Sequence, residues 1–404
     1  MKDIAVIGGG SAGLFFAVCV KRFNPEISVV LFEARDRVGK KIAVTGNGRC
    51  NISNAKIRIE NYHGDRELAK NCIDAFDFDS QKEFFESLGV LFKLEGEKAY
   101  PRSLQASSVV DALRFAAEEL GVEIRVSTAV EAVSRDGEFF LCKTAKTKEK
   151  FRSVVIATGG KAGGKLGDES GYGLLKSLGH KIEPIFPSIV QLKTESAVVR
   201  QLKGIKVDAV VNMSSSLGVR TEFGEVLFCD YGLSGPPVLQ VSRLAMGEHP
   251  IITLDIVPDY EKEQLIEVLL EKVRIYPDRP LSELFTGLLH KRIGQVVTKS
   301  CGFSLDSKFS ELCETDIIVI VDHLKSMRFK VQGTTGFENA QVTAGGASTT
   351  QFFNNLMSKK AKGLFAIGEV LNVDGDCGGF NLAFAWSSAY VASKAAVLYL
   401  SDKK

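Results

Sequence analysis

Gly8, Gly10 and Gly13 are spaced G-x-G-x-x-G. They follow an apolar run, Asp3–Ile7, that reads as a short buried strand, and they open a helix read from about Ser11 to Phe23. In that setting each glycine has a task. The first permits a tight turn, the second lets backbone approach a pyrophosphate, and the third lets the helix pack on the strand. Free N–H groups and the positive end of the helix dipole suit the phosphates. Glu33 follows twenty residues after Gly13, at the end of a second strand, Ile27–Phe32. A carboxylate there accepts hydrogen bonds from adenosine ribose hydroxyls and repels a 2′-phosphate. The chemistry indicated is binding of a dinucleotide, FAD or NAD rather than NADP. Replacing Glu33 by alanine is expected to weaken retention of that dinucleotide without unfolding the chain.

Three further stretches favour FAD. The second strand runs on through Glu33-Ala34-Arg35-Asp36-Arg37-Val38-Gly39, which looks like the two-dinucleotide-binding-domain flavoproteins. Val154-Val155-Ile156-Ala157-Thr158-Gly159-Gly160 is similar to their second signature, although taken alone it is a buried strand with a glycine turn. Near the C-terminus, Gly363–Ile367 reads as a strand within the segment Gly363–Val370, and Glu369 stands where those flavoproteins usually place an aspartate on the ribityl chain. Asp374, Gly375, Gly378, Gly379, Phe380 and Asn381 follow at the mouth of the last helix. Backbone N–H groups at such a helix start can stabilise negative charge on the flavin N1–O2 edge. Ser11, Ala12, Ala34, Lys41 and Thr158 are counted with these as cofactor-contacting positions.

The elements that must position these residues are legible in outline. β-turn-α-β at the start implies a parallel sheet. Residues 65–88 carry helical spacing, and Ser108–Leu120 is a further amphipathic helix. Val122–Val126, Ala129–Ser134, Phe139–Lys143 and Phe151–Ile156 read as strands of a meander returning to the sheet. Past Pro184 and Pro187 the chain becomes strand-rich, with runs such as Ile205–Met213 and Ile251–Ile256. From Glu261 it is mostly helical, with Leu265, Val268, Leu269, Lys272 and Val273 on one stripe. The expected fold is α/β: a discontinuous Rossmann-like FAD domain (1–185 and 335–404), an inserted β-rich domain (186–258) and a helical domain (259–334).

With these motifs in view, the chain resembles the bacterial BaiN-like NAD(P)/FAD-dependent oxidoreductases, some of which are called aminoacetone oxidases. The most specific match is Thr45-Gly46-Asn47-Gly48-Arg49-Cys50-Asn51. Tyr100-Pro101, Val109-Val110-Asp111-Ala112-Leu113, Gly232-Leu233-Ser234-Gly235-Pro236, Thr343-Ala344-Gly345-Gly346 and Trp386-Ser387-Ser388 add to it, so that it covers nearly the whole chain. The resemblance implies an inserted β-barrel-like domain and a helical domain. It also implies that Gly46, Asn47, Arg49, Cys50 and Asn51 lie near the flavin and that Val130 meets the adenine through its backbone. Asn-Gly is equally a surface-turn signal, and both readings of that loop can hold. The family leads one to expect Thr-His before Tyr231 and Ser-Tyr-Pro after Gly160. This chain has Cys229-Asp230 and, after Lys161, Ala162-Gly163-Gly164.

Composition excludes more than it assigns. The 404 residues suffice for two or three domains, and a net charge of +2 gives no strong pull towards nucleic acid or membrane. The basic run Lys143–Arg152 reads as a solvated hairpin. Eight cysteines without CxxC spacing and five scattered histidines suggest neither a disulfide framework nor a metal site, which points to a reducing cytoplasm. Only one G-x-G-x-x-G is present, so NAD(P)H is expected as a transient electron donor rather than a resident of a second Rossmann unit.

The expected reaction is NAD(P)H-driven reduction of a small organic substrate such as a conjugated C=C–C=O. Hydride passes through flavin N5, and Tyr100, Arg102 and Cys50 are the candidate catalytic groups. An oxidase or dehydrogenase of a small amine or carbonyl compound is one alternative. A flavoprotein acting on RNA is another, against which the near-neutral charge argues.

Overall fold

The computed structural model describes residues 2–402, so residues 1, 403 and 404 of the expected FAD domain lie outside it. The chain divides into two compact units, Met1–Pro187 with Gln341–Lys404, and Ser188–Ala340.

The first unit is built on a seven-stranded sheet. Lys2–Ile7 pairs in parallel with Val29–Phe32 on one side and with the far half of Lys148–Ile156 on the other. Glu123–Arg125 extends the sheet in parallel beyond Val29–Phe32, and Leu364–Ala366 adds in parallel to residues 154–156. Three of the four strands expected in the meander form it: Val130–Asp136, Phe139–Thr144 and Lys148–Ile156 pair antiparallel in sequence, whereas the first, Glu123–Arg125, is taken up at the opposite edge of the sheet beside Val29–Phe32. Lys143 and Lys150 are exposed and face Glu131 and Asp136, as a solvated hairpin requires.

The centre of the parallel sheet, residues 4–7, Val29–Phe32, 154–156 and Leu364–Ala366, is apolar and buried, which demands cover. The helix Ser11–Phe23 and the long helix Phe380–Ser401 belong to that cover and share one core with the strands. Their contact is an aromatic cluster in which Phe15 meets Phe84, Trp386 and Phe76 at centroid distances of 4.3, 5.4 and 5.5 Å. Two buried polar ties fix the segment after Asn51 against the last helix. Trp386 Nε1 donates to the Ile52 carbonyl at 2.9 Å. Gln81, fully buried, accepts from Ser53 Oγ at 2.7 Å and donates to Ser387 Oγ at 3.0 Å.

In the second unit, six strands close an antiparallel barrel: Leu192–Thr194, Gly232–Ser234, Gly218–Phe228, Lys206–Ser215, Ile251–Asp255 and Met327–Thr334. The last of these lies inside the stretch expected to be helical, and it returns to pair with Leu192–Thr194. Helices Lys262–Ile275, Lys291–Ser300 and Glu314–Lys325 share a single core with the barrel. On the first of them Leu265 and Leu269 are buried, but Val268, placed on the same stripe by spacing, is 46% exposed. Lys272 is not part of an apolar face either: its ammonium donates to the carbonyls of Leu284 and Thr286.

Candidate cofactor site

The glycine turn joins Lys2–Ile7 to the helix Ser11–Phe23. Gly8 has φ +110°, and a Cβ on it would lie 2.4 Å from the Ala157 carbonyl oxygen. That contact seats the turn on the end of the neighbouring strand. A Cβ on Gly13 would lie 1.9 Å from Gly8 O, so the third glycine lets the helix close onto the turn. Gly10 is different. A Cβ there would meet nothing within 4 Å, and its φ of −80° suits any residue. No protein atom crowds this position, so the backbone at Gly10 is open to close approach.

Glu33 sits 7% exposed beside this turn. Its Oε2 accepts from Gly9 N at 2.9 Å and its Oε1 from Arg35 N at 2.8 Å. The chain entering Val130 runs alongside, with Thr128 N donating to Glu33 O at 2.8 Å and Ser127 N to Arg35 O at 2.6 Å. The backbone at Glu33 and Arg35 thus lies against Ser127 and Thr128, two residues before Val130, and Ala34 lies between the residues so fixed.

The end of Lys148–Ile156 brings up Thr158, Gly159 and Gly160. A Cβ on Gly160 would fall 2.5 Å from Thr343 Oγ1 and 3.0 Å from Glu369 Oε1. Glu369 itself is pinned twice: Lys41 Nζ donates to Oε2 at 2.7 Å, and Thr343 N donates to Oε1 at 2.8 Å. Lys41 and Glu369 were named separately from sequence, and the fold makes them an ion pair. Thr343 was quoted only as part of a motif. Its hydroxyl also accepts from Ala162 N at 2.8 Å, so it fixes the glycine-rich loop after Gly160.

The loop Gly46–Asn51 is strained. Gly46, Asn47, Gly48 and Cys50 all have positive φ, and for Asn47 (55°) and Cys50 (58°) this is the left-handed region that L-residues avoid. The loop meets the C-terminal one: a Cβ on Gly379 would lie 2.4 Å from Ser53 O and 2.9 Å from Asn51 Oδ1. Asn381 serves that second loop rather than facing outward. Its amide accepts from Gly375 N at 2.8 Å and donates to Gly375 O at 2.7 Å. Phe380 packs its ring on Gly378 and Tyr62, and Asp374 is 1% exposed in a short strand paired with His63.

The candidate catalytic groups differ sharply. Cys50 is fully buried, and burial pushes its thiol up to about 12, so it is not a thiolate at neutral pH. Arg102 is exposed. Tyr100 is 5% exposed, with the Arg49 guanidinium 4.4 Å above its ring and Arg49 also bonded to Glu95 at 2.9 Å. Burial raises its phenol above the usual value, against the opposing pull of Arg49. Sequence reasoning missed a pair in the same region: His63 Nε2 lies 3.0 Å from Asp376 Oδ1, beside Cys377. Their separation in sequence gives no signal for it.

The residues present fit a bound dinucleotide on observations independent of motif. Gly10 faces open space, and Asn51 Oδ1 and Thr158 Oγ1, on two of the segments described, are buried without a hydrogen bond. Among the described residues no cluster of His, Cys, Asp or Glu could hold a metal ion, and no helix is long and apolar enough to cross a membrane.

Comparison with known proteins adds to this. The family model described as HI0933-like protein Rossmann domain matches residues 2–395. The 3-dehydro-bile acid delta(4,6)-reductase of Clostridium scindens is 35% identical over 405 residues, 98% of this chain and 99% of that protein. The ribosomal RNA dihydrouridine synthase of Escherichia coli is 28% identical over 408 residues, 97% of each chain. Among solved structures, the open conformation of a flavocytochrome c3 fumarate reductase matches with a TM-score of 0.52 at 17% identity, covering 98% of this chain and 78% of that one. At that identity the likeness speaks for the fold alone.

Proposed function

The chain belongs to the HI0933-like Rossmann family and is an FAD-dependent oxidoreductase, and from that premise we propose that it reduces a C=C bond conjugated to a carbonyl, with NAD(P)H as the electron source. One observation carries the substrate class. The two relatives, a Δ4,6-reductase of a 3-oxo bile acid and a dihydrouridine synthase, differ in scaffold and size of substrate, yet both names describe saturation of a C=C in conjugation with C=O. Bound FAD would supply hydride transfer at N5.

The chain's own residues do the rest. Glu33 would hold the adenosine ribose, Gly8–Gly13 would seat the pyrophosphate on the helix start, and the Lys41–Glu369 pair would set the charge at the ribityl chain. Asn47, Arg49, Asn51 and the loop 375–381 shape the flavin end. Saturation adds hydride at the β-carbon and a proton at the α-carbon, while NAD(P)H becomes NAD(P)⁺. Tyr100, held protonated by burial, and the His63–Asp376 pair are the groups that can supply that proton.

The test is an anaerobic titration of the purified flavoprotein with NADH and then NADPH, following the visible flavin absorbance. We expect one nucleotide to bleach it and a 3-oxo-4-ene compound to restore it. A band that survives both nucleotides would replace this reading with an oxidase or dehydrogenase reduced by its own organic substrate. The 28% identity to an RNA-modifying synthase favours a second reading, in which the enone is uracil within RNA. Reoxidation by uridine-containing RNA but not by the steroid enone would select it.

A further inference from the structure

Three buried side-chain polar atoms of the described residues have no hydrogen bond: Asn51 Oδ1, Thr158 Oγ1 and Tyr172 Oη. The first two lie on segments whose motifs already pointed to a cofactor. No motif points to the third. Tyr172 is 5% exposed, on the helix Ser170–Ser177. Its neighbour Gly171 lies directly on Thr158: a Cβ at Gly171 would fall 2.1 Å from Thr158 Oγ1. The residue next to Tyr172 therefore packs on the residue that carries another of the orphan hydroxyls.

The surroundings of Tyr172 say what its hydroxyl can do. Burial, with Glu369, Glu169 and Asp168 nearby, raises the phenol well above its usual value. At neutral pH the group is a protonated donor. Glu369 does not receive that proton's bond, since its oxygens are engaged by Lys41 and the Thr343 N–H. A buried donor left unpaired is costly, and native chains rarely keep one without a reason. Here the reason stands alongside it, because Thr158, Gly160 and Glu369 are positions that face the proposed cofactor.

We propose that Tyr172 is a further cofactor-binding residue, whose hydroxyl donates a hydrogen bond to the bound FAD. The inference rests on the FAD reading above and extends it to a residue outside every flavoprotein motif in the chain. The same ring forms part of the wall of a cavity of about 350 Å³ with Glu169, Lys176, Glu183 and Pro184, so water there is the competing partner for the hydroxyl.

Tyr172→Phe removes the hydroxyl and keeps the ring. Wild-type and variant protein are stripped of flavin, their apo forms melted, and each titrated with FAD by quenching of flavin fluorescence. The expected result is a Kd about tenfold weaker, equivalent to ~1.4 kcal/mol, with an apo melting temperature equal to or above that of the wild type. That combination separates a ligand-directed hydroxyl from a structural one. An unchanged Kd overturns the proposal, and an unchanged Kd with a less stable apo form assigns the hydroxyl to solvent in the cavity. Wild-type apoprotein that takes up no FAD would instead overturn the cofactor reading itself, and this proposal with it.

Discussion

Gly10→Val is expected to fold like the native chain and to purify without flavin. A valine Cβ at this position meets no protein atom within 4 Å, and the backbone, at φ −80° and ψ −163°, is in a region valine favours. The cost to the apoprotein is confined to a poorer residue at the helix N-cap, about 1 kcal/mol. The cost to the holoprotein is the close approach of a pyrophosphate to backbone, which a branched side chain blocks. We expect FAD affinity to fall by about 100-fold or more, ~2.7 kcal/mol. Gly13→Ala is the control. Its Cβ would lie 1.9 Å from Gly8 O, so it should lower stability by about 1–3 kcal/mol with or without ligand. Melting of the two apoproteins, followed by FAD titration, checks both. Tight FAD binding by Gly10→Val would show that the turn does not seat the pyrophosphate.

The second large effect is at Glu33, where the structure changes the experiment. Sequence alone suggests Glu33→Ala as a clean probe of the ribose contact. The carboxylate, however, accepts from two backbone N–H groups, Gly9 and Arg35, in a largely buried position. Alanine would leave both donors unpaired at about 1–3 kcal/mol each, so lost flavin and lost stability would arrive together. Glu33→Gln keeps nearly the same volume and an oxygen acceptor for one of the two N–H groups, so it leaves one donor unpaired instead of two while removing the charge. We expect that variant to remain folded and to bind FAD about ten- to a hundredfold more weakly, since hydrogen bonds to a charged group are worth about 1.5–3 kcal/mol. With the charge gone, discrimination against a 2′-phosphate should also relax, measurable as a smaller NADH-over-NADPH difference in any competition with FAD. Native FAD content in Glu33→Gln would remove Glu33 from the ribose site.

What could be read from the sequence is what is local in the chain. A strand, a glycine turn, a helix and an acid at the end of the next strand lie within Lys2–Glu33, and each step is dictated by backbone sterics and by periods of two and 3.6 residues. Short-range spacing therefore located the glycine turn, the acid and the three later strands of the meander within a few residues of their observed ends.

Spacing failed where burial depends on what packs against an element. Val268 has the period of Leu265 and Leu269 yet remains exposed, because only two of the three meet the barrel core. Met327–Thr334 follows three helices and becomes the strand that completes the barrel, since strand pairing is decided by an open edge far away in the chain.

Long-range pairings were invisible for the same reason. Lys41 and Glu369 are 328 residues apart, and His63 and Asp376 are 313 apart. Asn51 against Gly379, and Gly171 against Thr158, likewise exist only once the sheet has brought its strand ends together. The dinucleotide-type glycine turn and the acid beyond it were legible in the chain because one continuous segment carries both. Which polar groups are satisfied within the protein and which are buried without a partner follows from the fold, because hydrogen-bond satisfaction belongs to the packed whole.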